Sequence, residues 1–217
     1  MILLNPDEIS FPDPVYMESE SGIIAIGGDL SPERLHFAYQ IGIFPWFNPG
    51  EEILWWCPDP RFVLFPNDLK VSKSMRKILR DEVFTFTENT CFRKVLEECA
   101  HTLRKDQDGT WLSEVLIESV VNLYEKGIAK SIEVWQNEEL VGGFYGIQIG
   151  NVFCGESMFA KVSNASKAGF IHFVQSQGEH FELIDCQIHS EHLESLGATM
   201  IPKSEYLKIL KNNNHES

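Results

Sequence analysis

Asp185 and Gln187 stand two apart in the run Leu183-Ile184-Asp185-Cys186-Gln187-Ile188, whose apolar members mark a buried strand. Alternation along a strand puts the two polar side chains on one face. Buried polar groups need partners, so the pair is either a brace across a sheet or a centre that orients and receives a proton. Glu156 and Met158 share a face in the same way within Phe153-Cys154-Gly155-Glu156-Ser157-Met158-Phe159. An acid beside apolar surface can orient an ammonium or amide group, and it can equally cap the next helix or lie at an exposed strand end. Cys186 with His189 or His192 has the composition of a thiol nucleophile, but alternation turns Cys186 away from Asp185 and Gln187. His189 and His192 are spaced like helical metal ligands with no third ligand evident, so a solvated helix start is the better account and no metal site is expected.

The elements that position these residues follow from periodicity and turn chemistry. The first third is rich in aromatic residues, Pro and Gly, and reads as irregular structure around one helix. That helix has Ser31 as N-cap and Pro32 at its first position. It runs to about Ile41 and stops at Gly42. Trp46, Phe47, Trp55 and Trp56 beside prolines suggest a rigid lining, although each ring alone is ordinary core. A helix beginning near Ser72 is followed by a strand at 83–87, a helix at 91–103, a polar loop at 104–110 and a helix at 111–126 ended by Gly127. Strands at 131–135, 140–149 and 152–159 form an antiparallel meander. Gly142, Gly143 and Gly146 in its middle strand suggest bulges or a closely approaching ligand. A helix capped by Ser163-Asn164, a strand at 181–188, a short helix at 190–196, a strand at 198–201 and a terminal helix from Ser204 complete an α+β architecture with a mixed, mostly antiparallel sheet. Two parts are expected: 1–65, small and aromatic, and 66–217, carrying the sheet.

The 217 residues can bury a substantial core, and 43% hydrophobic with 23% charged residues suits a globular protein. No apolar run is long enough for a membrane span and the N-terminus is no signal peptide. Five cysteines without paired spacing fit a reducing cytoplasm better than a disulfide framework. A net charge of −14 argues against a nucleic-acid partner, unless binding is local. Lys73, Arg76, Lys77 and Arg80 supply that exception, because spacings of three and four gather them on one side of a helix. Such a stripe is either a solvated face or a weak, salt-sensitive phosphate grip.

Beyond these residue-level readings, the segments 27–34, 42–47, 54–61, 109–111, 131–135, 140–143, 153–159, 164–167, 183–187 and 195–198 together resemble the leucyl/phenylalanyl-tRNA–protein transferase family, in the same order over nearly the whole chain. The resemblance implies a smaller N-terminal domain, a GCN5-related N-acetyltransferase-like C-terminal domain, and no cofactor. It implies transfer of Leu or Phe, and less readily Met, from aminoacyl-tRNA to proteins with N-terminal Arg or Lys, marking them for N-end-rule degradation. It places Asp185 and Gln187 at the reaction centre and has Glu156 help hold the aminoacyl group. Trp46 and Trp111 would contact the terminal adenosine or the ester. Phe144, Phe153, Met158, Phe170, Phe173 and Ile184 would line the amino-acid pocket, with Phe144 and Phe170 larger than is usual there. Lys73, Arg76, Lys77 and Arg80 would meet the tRNA acceptor stem.

Three rivals set the terms of comparison. A coenzyme-A-dependent N-acetyltransferase would want a glycine-rich turn before the helix at 165, where Ser163-Asn164-Ala165-Ser166-Lys167 has none. A non-catalytic aminoacyl-tRNA adaptor would need the pocket and the basic stripe but not Asp185 and Gln187. A structural module would leave the aromatic clusters as plain core.

Overall fold

A computed structural model describes residues 1–48, 50–101 and 113–213. The expected loop at 104–110, and Trp111, lie outside the described residues. The first third is more regular than its composition suggests. Strands β1 (Ile2–Leu4), β2 (Ile23–Gly27), β3 (Phe44–Pro45) and β4 (Leu54–Trp56) form a four-stranded sheet in the order β1-β2-β4-β3. Prolines and glycines mask so small a sheet, because its strands are too short to show a period.

Helix α1 (Pro32–Gln40) starts as expected, with Ser31 Oγ accepting from the backbone N–H of Arg34. Arg34 is itself buried. Its Nε donates to Asp29 at 2.6 Å and its Nη2 to the carbonyls of Asn5, Pro6 and Glu8. One guanidinium thereby ties the N-terminal segment to α1.

The larger sheet has seven strands in the order β11-β5-β10-β9-β8-β7-β6. They are β5 (Arg61–Leu64), β6 (Thr85–Glu88), β7 (Ala129–Gln136), β8 (Glu139–Ile149), β9 (Val152–Ala160), β10 (Leu183–Gln187) and β11 (Thr199–Ile201). All neighbours are antiparallel except β9 and β10, which run parallel. The mixed, mostly antiparallel α+β architecture is therefore as the sequence indicates. Arg61–Leu64, grouped by sequence with the N-terminal segment, pairs with β10 and β11 in this larger sheet.

Alternate residues of the sheet feed two cores. On one side Tyr145, Ile147 and Leu183 join Trp55, α1, α3 (Phe92–His101), α4 (Glu114–Glu125) and α7 (Lys203–Asn213). On the other, Phe144, Phe153 and Ile184 join α2 (Lys73–Arg80) and α5 (Ala165–Gln177). The glycines of β8 serve this packing. A Cβ on Gly142 would lie 2.8 Å from Ala165 Cβ, and one on Gly146 2.4 Å from the Phe153 ring. The close neighbours are thus α5 and an aromatic ring, where a ligand had been one expectation.

Ser72, Ser113 and Ser190 cap α2, α4 and α6 (Glu191–Glu194). Asn164, expected as a side-chain cap of α5, instead takes a left-handed conformation (φ 69°) and makes no capping bond. Its short polar side chain tolerates that backbone, so it turns the chain and leaves the capping unfilled.

Candidate active site

Two β-bulges build the site. In β9, Tyr145 pairs with Ser157 and Gly146 with Gly155, which leaves Glu156 as the extra residue. In β10, Asp185 pairs with Val63 and Gln187 with Phe62, which leaves Cys186 extra, and Gln187 takes φ 64°. Parallel pairing of β9 with β10 ends at Asp185 and Cys154. Beyond it the two strands carry Glu156 and Gln187 into the lining of a cavity of about 650 Å³. Bulges re-aim side chains in this way beside active sites.

The simple alternation expected for Asp185 and Gln187 is therefore broken. Asp185 is fully buried and Gln187 is only partly so. Asp185 accepts from Arg61 through a two-point fork, Nε at 2.8 Å and Nη2 at 2.6 Å. The Tyr206 hydroxyl donates to its Oδ2 at 2.9 Å, and the Gln187 backbone N–H to its Oδ1 at 2.9 Å. The Cys154 thiol also bonds it, and burial together with the Asp185 charge pushes that thiol's pKa well up. Arg61 in turn donates to the carbonyl of Gly42 and lies against the rings of Phe44 and Tyr206. Sequence reasoning assigned no role to Arg61 or Tyr206. The only signal for Arg61 was a charge directly after Pro60, which has no meaning until β5 is laid against β10.

Glu156 lines the same cavity and is only partly buried. The Gln187 side-chain amide donates to it at 2.6 Å, and the Tyr39 hydroxyl bonds it from α1. Burial raises its pKa to about 7 against the pull of those two hydrogen bonds. Tyr39 is held neutral by burial and by the Glu156 charge.

The other expected site residues divide into three groups. Phe144, Met158, Phe170 and Ile184 line the cavity, as do Trp46 and its neighbours Phe44 and Pro45. Trp46 is buttressed by Trp56, whose ring lies 5.1 Å away and whose Nε1 donates to the Trp46 carbonyl. Phe153 and Phe173 do not reach the cavity. They pack behind Phe144, at 6.2 and 5.5 Å between ring centroids, because β9 and α5 point them into the core. Lys73, Arg76, Lys77 and Arg80 are exposed on α2, away from the cavity lining. Lys77 and Arg80 both pair with Asp81.

Cys186 borders the cavity but is no nucleophile at neutral pH, since burial raises its pKa far above the thiol range. His189 pairs with Glu194 at 3.1 Å, and His192 is kept neutral by burial and by Lys167. Among the described residues no group of three or more His, Cys, Asp or Glu could hold a metal ion. A second, open depression of about 690 Å³ runs along α3 and α4. Its Arg93 is already paired with Glu118, and it contains no comparable arrangement of buried polar groups.

A cavity lined by apolar side chains, a carboxylate–amide pair and a tryptophan is suited to an acyl-transfer enzyme that accepts an apolar acyl group. Comparison with known proteins makes the class specific. The sequence model described as leucyl/phenylalanyl-tRNA protein transferase matches residues 63–211, and that of the family's N-terminal domain matches residues 28–59. Leucyl/phenylalanyl-tRNA–protein transferases of Flavobacterium johnsoniae and Cellvibrio japonicus are 55% and 51% identical to it. Those alignments cover 94% and 95% of this chain, and 96% and 88% of the relatives. The chain belongs to the leucyl/phenylalanyl-tRNA–protein transferase family and is an aminoacyltransferase. Solved structures resemble it loosely. A GCN5-related N-acetyltransferase-like protein from Streptococcus suis is 12% identical with a TM-score of 0.37, covering 74% of this chain and 59% of that one. A Bacteroides thetaiotaomicron protein of unknown function is 13% identical with a TM-score of 0.45, covering 88% and 64%.

Proposed function

We propose that this protein transfers Leu or Phe, and less readily Met, from aminoacyl-tRNA to the α-amino group of proteins beginning with Arg or Lys, marking them in the cytoplasm for N-end-rule degradation. The observation that carries the reading is the cavity itself, which brings Phe144, Met158, Phe170 and Ile184 together with Glu156 and Gln187 in one lining. An apolar aminoacyl side chain buried among those rings gains about 1.5–3 kcal/mol, and a charged one is rejected by desolvation. Trp46, and Trp111 in sequence, are assigned to the terminal adenosine or ester. Phe153 and Phe173 act from behind, by fixing Phe144. The cations of α2 are assigned to the acceptor stem, and the GCN5-related architecture implied by the family is adopted for the larger sheet, expected over 66–217 and extended by β5 to Arg61.

The chemistry asks little of the protein beyond placement. The donor is an activated ester, and roughly a tenth of α-amines are neutral at pH 7, so deprotonation costs about 1.4 kcal/mol. Holding amine and ester in attack geometry is worth roughly 7–11 kcal/mol in the best cases. Gln187 is suited to hold the amine, because its amide N–H₂ is spent on Glu156 and its carbonyl oxygen is left to accept from the incoming nitrogen. Asp185 acts on Gln187 through the backbone N–H and not through the side chain.

The deciding experiment offers labelled Leu and Phe, each on tRNA, to an Arg-starting peptide, with acetyl-coenzyme A as control donor. Label reaching the peptide from tRNA is the expected result. Acetylation alone would replace this reading with an N-acetyltransferase, and retention of charged tRNA without transfer would leave an adaptor.

A further inference from the structure

Asp185 has no oxygen left for proton work, since Arg61, Tyr206 and the Gln187 backbone occupy both. Glu156 lines the same cavity but is only partly buried and less fully engaged: it is the bulged residue of β9, and its donors are Gln187 Nε2 at 2.6 Å and the Tyr39 hydroxyl. Tyr39 is almost completely buried, and it comes from α1, outside the larger sheet. We propose that Glu156 takes the proton of the incoming amine and that Tyr39 is its positioning residue, so that helix α1 completes the reaction centre. The inference rests on the aminoacyl-transfer reading.

The step balances without a further reagent. The acceptor ammonium gives one proton to the Glu156 carboxylate, and the freed lone pair forms the C–N bond at the ester carbonyl carbon. The ester C–O bond breaks with its electron pair going to the ribose oxygen. That oxygen takes the second amine proton, and Glu156 returns its own proton to water.

Burial brings Glu156 to about 7, close to the α-amine it would serve. Of the charges around it, Asp185 raises that value and Arg61 lowers it. Cys154 and Tyr206, raised well above their ordinary values by burial, stay neutral there, and Tyr145 faces Tyr39. Of the other cavity-lining groups, burial and Lys167 lower the pKa of His192, and His189 is paired with Glu194, while Lys167 itself is bonded to Ser195.

Single-turnover transfer from charged tRNA to an Arg-starting peptide, followed against pH, tests the assignment. The wild-type rate should rise with pH through about 7. Glu156→Gln should abolish that limb and lower the rate by ~100-fold or more, with tRNA affinity nearly unchanged. Glu156→Asp should restore the limb in part. Tyr39→Phe removes a donor to the ionised carboxylate, so the limb should move to higher pH. Its defect is then several-fold on the acid side and shrinks as pH rises. A pH-independent defect in Tyr39→Phe would overturn the proposal. So would a Glu156→Gln enzyme that keeps the limb, or one that loses only charged-tRNA affinity. Carbon-13 titration of the Glu156 carboxyl in the tRNA-free protein separates the two claims. If wild type transfers nothing, the transfer reading fails, while a titration midpoint that Tyr39→Phe leaves unmoved defeats this inference by itself.

Discussion

Asp185 is held by the fold through both of its oxygens. Its carboxylate and the Arg61 guanidinium are both buried, and each is the other's compensation. Removing one partner of such a pair leaves an uncompensated charge and typically costs about 3–5 kcal/mol. Asp185→Asn should therefore lower stability to urea by that order, and a loss below about 1 kcal/mol would show that the pair contributes little. Its effect on turnover has meaning only beside that unfolding curve. Under conditions where the variant stays folded, the remaining defect should be misplacement of Gln187, whose backbone N–H Asp185 holds.

At the scale of elements, α2 and the α1–β3 junction do different work. Helix α2 seats Met75 in the core and leaves its cations outside. Because Lys77 and Arg80 share Asp81, Lys73 and Arg76 should carry more of any phosphate grip. Replacing both with Ala should weaken charged-tRNA binding and reduce its logarithmic salt dependence by roughly one to two. An unchanged slope would move the acceptor stem elsewhere on the surface. At the junction, Gly42 has φ 81°, and a Cβ there would lie 2.6 Å from Leu207 and 2.9 Å from Tyr206 of α7. Gly42→Ala should destabilise the protein by about 1–3 kcal/mol through strained backbone and displaced α7, which a thermal melt would detect. The same shift would loosen Tyr206 from Asp185, so turnover should fall with it.

Over the whole molecule the net charge is −14, and α2 carries four cations and no acidic residue of its own. Among the described residues no helix is long and apolar enough to cross a membrane. The larger sheet is covered on both faces, and the cavity opens where β9 and β10 part, between α5 and the small N-terminal sheet. Much of this was legible in advance. Helix α1 announces itself by its Ser31 cap, α2 and α6 begin beside the serines expected, and β7 to β9 form the antiparallel meander read from the sequence, whereas the Ser113 cap of α4 was not foreseen. The basic stripe and the polar trio of Asp185, Gln187 and Glu156 stood out by residue type and spacing, whereas the cavity-lining Phe144, Met158, Phe170 and Ile184 were named only through the family resemblance. The small N-terminal sheet was not legible, nor were the bulges at Glu156 and Cys186, the retreat of Phe153 and Phe173 behind Phe144, or the parts played by Arg61, Tyr39 and Tyr206.

The division has a physical reason. Caps, periods and turns are decided by atoms a few residues apart, and the sequence by itself determined them, along with the family to which so many ordered motifs belong. Arg61 and Asp185 meet across 124 positions. Which carboxylate is saturated and which remains open to the cavity depends on how β5, β10 and α7 close around one and α1 approaches the other. Only the tertiary structure decided that, because an ion pair or a hydrogen bond acts over a few ångströms of space and is indifferent to distance along the chain.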